Sequence, residues 1–146
     1  MCEHYRPLTQ SESLILEKLL SIDLPGIQVL RDQVAHARVR TIDECGSLEI
    51  KIDDSVPSRF RDGPLISARQ SDADTEDEFG PHINILLFIK GGFLEELEIY
   101  KDDASPIQVS LDPGKLGELL IDTRRVGPEP EKSATAPRRT VKAGPR

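Results

Sequence analysis

Apolar positions along the chain change their period twice. Leu14, Ile15, Leu16, Leu19 and Leu20 recur at helical spacing, with Glu12, Glu17 and Lys18 left outside. Thr9 followed three residues later by Glu12 is a capping box that starts this helix. Asp23-Leu24-Pro25-Gly26 breaks it, because the residue before proline avoids helical geometry. Ile27, Leu30 and Val34 then fall on one stripe of a second helix. From Ala37 the period becomes two. Val39 and Thr41 alternate with Arg38 and Arg40, and Leu48, Ile50 and Ile52 alternate with Glu49, Lys51 and Asp53. This predicts a hairpin turning at Asp43–Gly46.

The segment Asp54–Pro64 carries two prolines besides a glycine and predicts a loop. Leu65–Gln70 predicts a strand and Ser71–Gly80 an acidic loop. Ile83–Ile89 is the most apolar segment and predicts a central strand. Lys90-Gly91-Gly92-Phe93 supplies the positive φ of a tight hairpin turn. Phe93–Lys101 returns as a strand, with Phe93, Leu97 and Ile99 expected on one face and Leu94 and Tyr100 on the other. Ile107, Val109 and Leu111 predict a last strand, and Leu116, Leu119 and Leu120 a short closing helix. The expectation is an α+β fold: two N-terminal helices packed on an antiparallel meander sheet of about five strands.

Charge divides the chain. Residues 1–122 hold 12 Lys or Arg against 24 Asp or Glu, while residues 123–146 hold 7 against 2. The expected organisation is one domain over 1–122 and a disordered, basic, Pro/Ala-rich tail over 123–146. The tail has almost no large apolar residue after Val126 to repay the entropy of ordering. The acidic body repels nucleic acid and anionic lipid at long range and attracts a basic protein. The basic tail suits nucleic acid weakly, or an acidic surface such as the body of its own chain. The longest apolar run, Ile85–Ile89, is far short of the roughly 20 residues a membrane helix needs. Cys2 and Cys45 do not make a disulfide framework, and Met1–Gln10 has no apolar signal core, so the expected compartment is the cytoplasm.

Standard catalytic chemistry finds little support. His4, His36 and His82 each lack a second ligand at metal spacing. The acidic run at Asp72–Glu78 places Asp77 where a calcium loop needs glycine and Ile83 where it needs glutamate. No Gly-x-Ser-x-Gly elbow or phosphate-binding glycine loop occurs. Glu96 and Glu98 share a strand face and could do acid–base work only in a cleft. A solvated face with a cross-strand partner such as Lys51 explains the same residues. No catalytic residue, metal or cofactor is expected.

Five segments together resemble a known family. They are Arg6-Pro7-Leu8-Thr9; Leu19-Leu20-Ser21-Ile22-Asp23-Leu24-Pro25-Gly26; Leu30-Arg31-Asp32-Gln33; Gly46-Ser47-Leu48-Glu49-Ile50; and Glu96-Leu97-Glu98-Ile99-Tyr100-Lys101-Asp102-Asp103. The chain resembles a family of small uncharacterised bacterial proteins over about residues 5–112. Leu24 replaces the usual aromatic of that pattern, and Ala104 stands where glycine is expected, which requires a turn there without positive φ. The resemblance implies a domain boundary and no activity.

Two functional readings follow. In the first, the chain is a non-catalytic protein-binding module, like an immunity protein against a toxic nuclease. Glu49, Lys51, Glu96, Glu98 and Tyr100 form an acidic sheet face for a basic partner. In the second, a pocket between the helices and the sheet takes a small ligand or substrate, with Asp23, Arg31 and Gln33 as its polar lining. Asp23 has a plainer role as a helix cap, and Arg31 as partner to an acid on the sheet.

Overall fold

A computed structural model describes residues 4–72, 81–107 and 109–126. It begins with a two-residue strand, β1 (Arg6–Pro7), and helix α1 (Gln10–Leu19). The capping box forms as expected: Thr9 Oγ1 accepts from the Glu12 amide at 3.1 Å, and Glu12 Oε1 accepts from the Thr9 amide at 2.9 Å. The same carboxylate takes two hydrogen bonds from Arg6, at 2.8 and 2.9 Å. That charged pair and the Thr9 amide hold the Glu12 pKa below its usual value. One glutamate therefore starts the helix and pins β1 to it.

Helix α2 (Ile27–Val34) follows Gly26, whose φ of 88° is the left-handed corner between the helices. Six strands follow: β2 (Ala37–Thr41), β3 (Leu48–Ile52), β4 (Gly63–Ser71), β5 (His82–Lys90), β6 (Phe93–Lys101) and β7 (Gly117–Ile121). They form one antiparallel sheet in the order β1-β2-β3-β6-β5-β4-β7. The α+β class holds, but the sheet has seven strands, not five.

Each departure has a local cause. β1 is too short to show a period. Leu116, Leu119 and Leu120 carry helical spacing, yet only a 3₁₀ turn forms, over Pro113–Lys115 with Asp112 as its cap. The chain then extends as edge strand β7 against β4. The expected strand at Ile107–Leu111 does not form among the described residues. Ile107, Val109 and Leu111 pack half-buried on the core, and the side chains of Gln70 on β4 and Asp72 just beyond it take the place of a neighbouring strand. Asp72 accepts from the Val109 amide at 2.9 Å; Gln70 donates to the Ser110 carbonyl at 3.0 Å and accepts from the Asp112 amide at 2.8 Å.

The faces of β6 also differ from simple alternation. The register with β5 shifts, so that Leu94 lies opposite Ile89 and Glu96 opposite Phe88. Glu95 is the extra residue of a bulge, which turns Leu94 into the core with Leu97 and Ile99 and puts Phe93 on the other face. Ala104, expected to avoid positive φ, has φ of 62°.

The sheet is not a simple meander, because β3 pairs with β6 rather than β4. The connection from β3 to β4 rounds the β5–β6 turn, where the Ser58 amide donates to the Gly92 carbonyl at 2.8 Å and Asp62 accepts from the Gly91 amide at 2.8 Å. Phe60 from this connection is buried near Gly26. Together with α1 and α2 it covers one face of the sheet. The core there includes Leu16, Leu19, Leu30, Ile50, Ile85, Leu87 and Leu97.

Thr123–Arg125, which the charge pattern assigns to the tail, form a 3₁₀ turn, and Val126 packs on the core. The rest of the tail, residues 127–146, lies outside the described residues, as does the acidic loop over 73–80. Asp72, at the start of that loop, is buried rather than hydrated.

Candidate functional site: the uncovered sheet face

Antiparallel pairing puts partnered residues on the same face, and the register builds that face in rows. One row runs Arg40, Glu49, Glu96, Phe88, Pro64 from β2 to β4. The next runs Glu98, Leu86, Ser67, Leu120 from β6 to β7. A third runs Tyr100, Asn84, Arg69, Gly117. Among the described residues no helix packs on this side. The helices bury Ile15, Leu16, Leu19, Ile27 and Leu30 in the core on the other.

Charge on the face is sorted. Arg40 Nε donates to Glu49 at 2.6 Å, and Arg38 pairs with Asp53 at 2.8 Å. Arg40 and Lys51 each lie 5.6 Å from the centre of the Tyr5 ring, a cation–π distance. At the other end Arg69 pairs with Asp102 at 3.1 Å, and Asp102 also accepts from Asn84 at 2.6 Å. The Asn84 hydrogen bond leads the causes that lower the Asp102 pKa.

Glu96 and Glu98, at the centre, make no hydrogen bond or ion pair among the described residues. Partial burial, then the charges of Glu98, Glu95, Glu49 and Asp43, push the Glu96 pKa up. Beside the acids lie half-buried Leu86 and Phe88 and exposed Tyr100 and Leu120. A hollow of about 130 Å³ opens between Pro64, Ser67, Leu86, Leu120 and Asp122. Such a surface offers an apolar bed for an aliphatic stem and carboxylates for a cationic head, the amphipathic shape of lysine and arginine.

Glu49, Lys51, Glu96, Glu98 and Tyr100 therefore share one face. Lys51 does not stand opposite an acid of β6: its partner across the sheet is Arg38 of β2. Leu86, Phe88 and Leu120 were missed by sequence reasoning. The run Ile83–Ile89 reads as uniformly apolar, and only the pairing shows which of its residues turn away from the helices.

The other three candidates do not converge. Gln33 is fully buried, donating to the carbonyls of Val56 (2.9 Å) and Gly92 (3.1 Å) and accepting from the Leu94 amide (2.9 Å). Arg31 donates to the carbonyl of Leu20 at 2.7 Å and to that of Ile22 at 3.3 Å, tying the helix corner rather than an acid on the sheet. Asp23 is exposed. Arg31 does line a groove of about 530 Å³ with Pro7, Leu8, Glu17, Leu20 and Val34, but Gln33 and Asp23 are not in it. Among the described residues no three His, Cys, Asp or Glu stand together to hold a metal, and no helix is long and apolar enough to cross a membrane.

The motif residues of the resemblance are largely fold-building. Arg6 and Thr9 secure α1, Arg31 and Gln33 secure α2, and the Ser47 hydroxyl bridges to both the amide (2.8 Å) and carbonyl (3.2 Å) of Ile99. A family model covers nearly the whole described chain, residues 5–126, under the description "Domain of unknown function (DUF6984)". The chain belongs to that family. No curated protein and no solved structure matches it. Most of the residues of these five segments thus sit in the framework, and the uncovered face carries Glu96, Glu98 and Tyr100 of the last segment.

Proposed function

We propose that this DUF6984 domain is a non-catalytic protein-binding module that presents the uncovered face of its sheet to a basic partner, in the manner of an immunity protein. One observation carries the reading. Glu96 lies opposite Glu49 and beside Glu98 at the centre of an uncovered face, an arrangement that costs the sheet stability. Residues that break a local folding rule are commonly functional. A partner's lysine or arginine would relieve the repulsion, laying its stem over Leu86 and Leu120.

The test is capture from the native host with two baits, the natural chain and a Glu96→Gln/Glu98→Gln variant. A basic protein retained by the natural chain alone, and released at about 0.5 M salt, where exposed charges are screened, is the expected result. Equal retention by both baits would remove the face from the interaction.

The groove at Arg31 supports a second reading, a small-ligand protein or enzyme, because about 530 Å³ is ample for a ligand. A small molecule that copurifies and shifts the amides of Leu20 and Val34 would favour it. Against it, the Nε of Arg31 is already committed to the Leu20 carbonyl.

A further inference from the structure

We infer that the uncovered face is also the docking surface for the chain's own C-terminal segment, residues 127–146, which competes there with an external basic partner. This rests on reading the face as a surface for basic chains. Residues 1–126 carry 14 Lys or Arg against 24 Asp or Glu, whereas residues 127–146 carry five, Lys132, Arg138, Arg139, Lys142 and Arg146, against Glu129 and Glu131. A second copy of the acidic domain is repelled by the first, and the segment attached to it is attracted.

The exit point supports the pairing. Arg125, at the end of the last turn, accepts at its carbonyl from the Arg61 amide at 2.7 Å. Asp122, three residues earlier, lines the hollow that Leu120, Pro64 and Leu86 form on the uncovered face. From the β4 side of that hollow the acids of β6 lie two strands away, or about 10 Å. The stretch from Val126, which packs on the core, to Lys132 spans at most about 20 Å, about twice that separation. Tethering then supplies an effective concentration that a weak, purely electrostatic contact needs.

The experiment uses the full chain carrying Cys2→Ser, Cys45→Ser and Ser133→Cys, with a nitroxide on residue 133, and follows amide signals by NMR. The expected result is signal loss at Leu86, Glu96 and Glu98 that spares Gln28 and Asp32 on α2. It disappears at about 0.5 M salt and in the Glu96→Gln/Glu98→Gln background. Loss confined to the neighbours of Val126, or equal on both faces, overturns the inference. Titrating the same protein, unlabelled, with a nona-arginine peptide separates the two claims. If the peptide shifts Glu96 and Glu98 while the tethered label does not broaden them, only the autologous contact falls; if neither acts there, the docking reading falls with it.

Discussion

Glu96 stands directly across the β3–β6 pair from Glu49, carboxylate opposite carboxylate. Arg40 answers Glu49 at 2.6 Å, and among the described residues no cation answers Glu96. Partial burial is the first cause of its raised pKa, and four neighbouring acids add to it. The folded state therefore binds this proton more readily than the unfolded chain. The stability cost is full above the folded pKa and disappears as pH falls below the ordinary glutamate value of about 4.3. Glu96→Gln should stabilise the domain at neutral pH by up to about 1 kcal/mol. The gain should shrink on acidification and vanish near pH 4. Thermal unfolding of both proteins across that range checks it, and a gain independent of pH would show that charge is not its cause.

Gln33 ties three backbone groups from three places: Val56 of the crossing connection, Gly92 of the hairpin turn and Leu94 of β6. Gln33→Leu keeps the volume but takes from the Val56 carbonyl and the Leu94 amide the partner that Gln33 supplies, while the Gly92 carbonyl keeps the Ser58 amide. Buried, unpaired polar groups cost about 1–3 kcal/mol each, so a loss of roughly 2 kcal/mol or more is expected in urea unfolding. A loss under about 1 kcal/mol would mean that water replaces the amide without penalty.

The two turn glycines are unequal. Both have positive φ, 61° at Gly91 and 87° at Gly92. A Cβ on Gly91 meets nothing within 4 Å, whereas one on Gly92 would lie 2.6 Å from the Ser58 carbonyl oxygen and 2.7 Å from Pro57 Cβ. Asparagine tolerates the left-handed region. Gly91→Asn should therefore change the melting temperature little. Gly92→Ala should destabilise by several kcal/mol, because the connection that rounds the turn must shift. Equal effects of the two substitutions would place the crossing elsewhere.

Ala104 occupies a left-handed turn conformation at φ 62°, which costs an alanine about 1–2 kcal/mol that glycine avoids. Ala104→Gly should raise stability by about 1 kcal/mol after the extra unfolded-state freedom of glycine is subtracted. A fall in melting temperature would show that the turn is not left-handed.

What was legible in the sequence follows how local the physics is. The Thr9–Glu12 cap, the β2–β3 hairpin and the Gly91-Gly92 turn depend on residues a few positions apart, and all formed. The β3–β6 pairing depends on a crossing that no local period records. The bulge at Glu95 shifts one register step and reverses Phe93 and Leu94. The Ile107–Leu111 segment alternates like a strand, but Gln70 and Asp72 supply its hydrogen bonds instead of a neighbour. The same division holds at the candidate site. Strand alternation put Glu96, Glu98 and Tyr100 together, whereas only long-range register sets Leu86 and Leu120 beside them.

The buried ion pair of Lys101 and Asp72 gives a further test. Nζ lies 2.7 Å from Oδ2, with the two side chains only 6% and 0% exposed. Each ion also holds the loop beyond β6: Lys101 donates to the Pro106 carbonyl at 3.1 Å, and Asp72 accepts from the Val109 amide at 2.9 Å. Removing one partner of such a pair leaves the other charge buried and typically costs about 3–5 kcal/mol, whereas replacing both with apolar residues is often close to neutral. Lys101→Met should therefore be severely destabilising, and Lys101→Met/Asp72→Leu should recover part of the loss. Recovery should stop short of complete, because the hydrogen bonds from the Val109 amide to Asp72 and from Lys101 to the Pro106 carbonyl are both removed. Urea midpoints of the natural chain and the two variants measure this. If the double variant is no better than the single one, the hydrogen bonds to the loop, rather than the uncompensated charge, dominate the site.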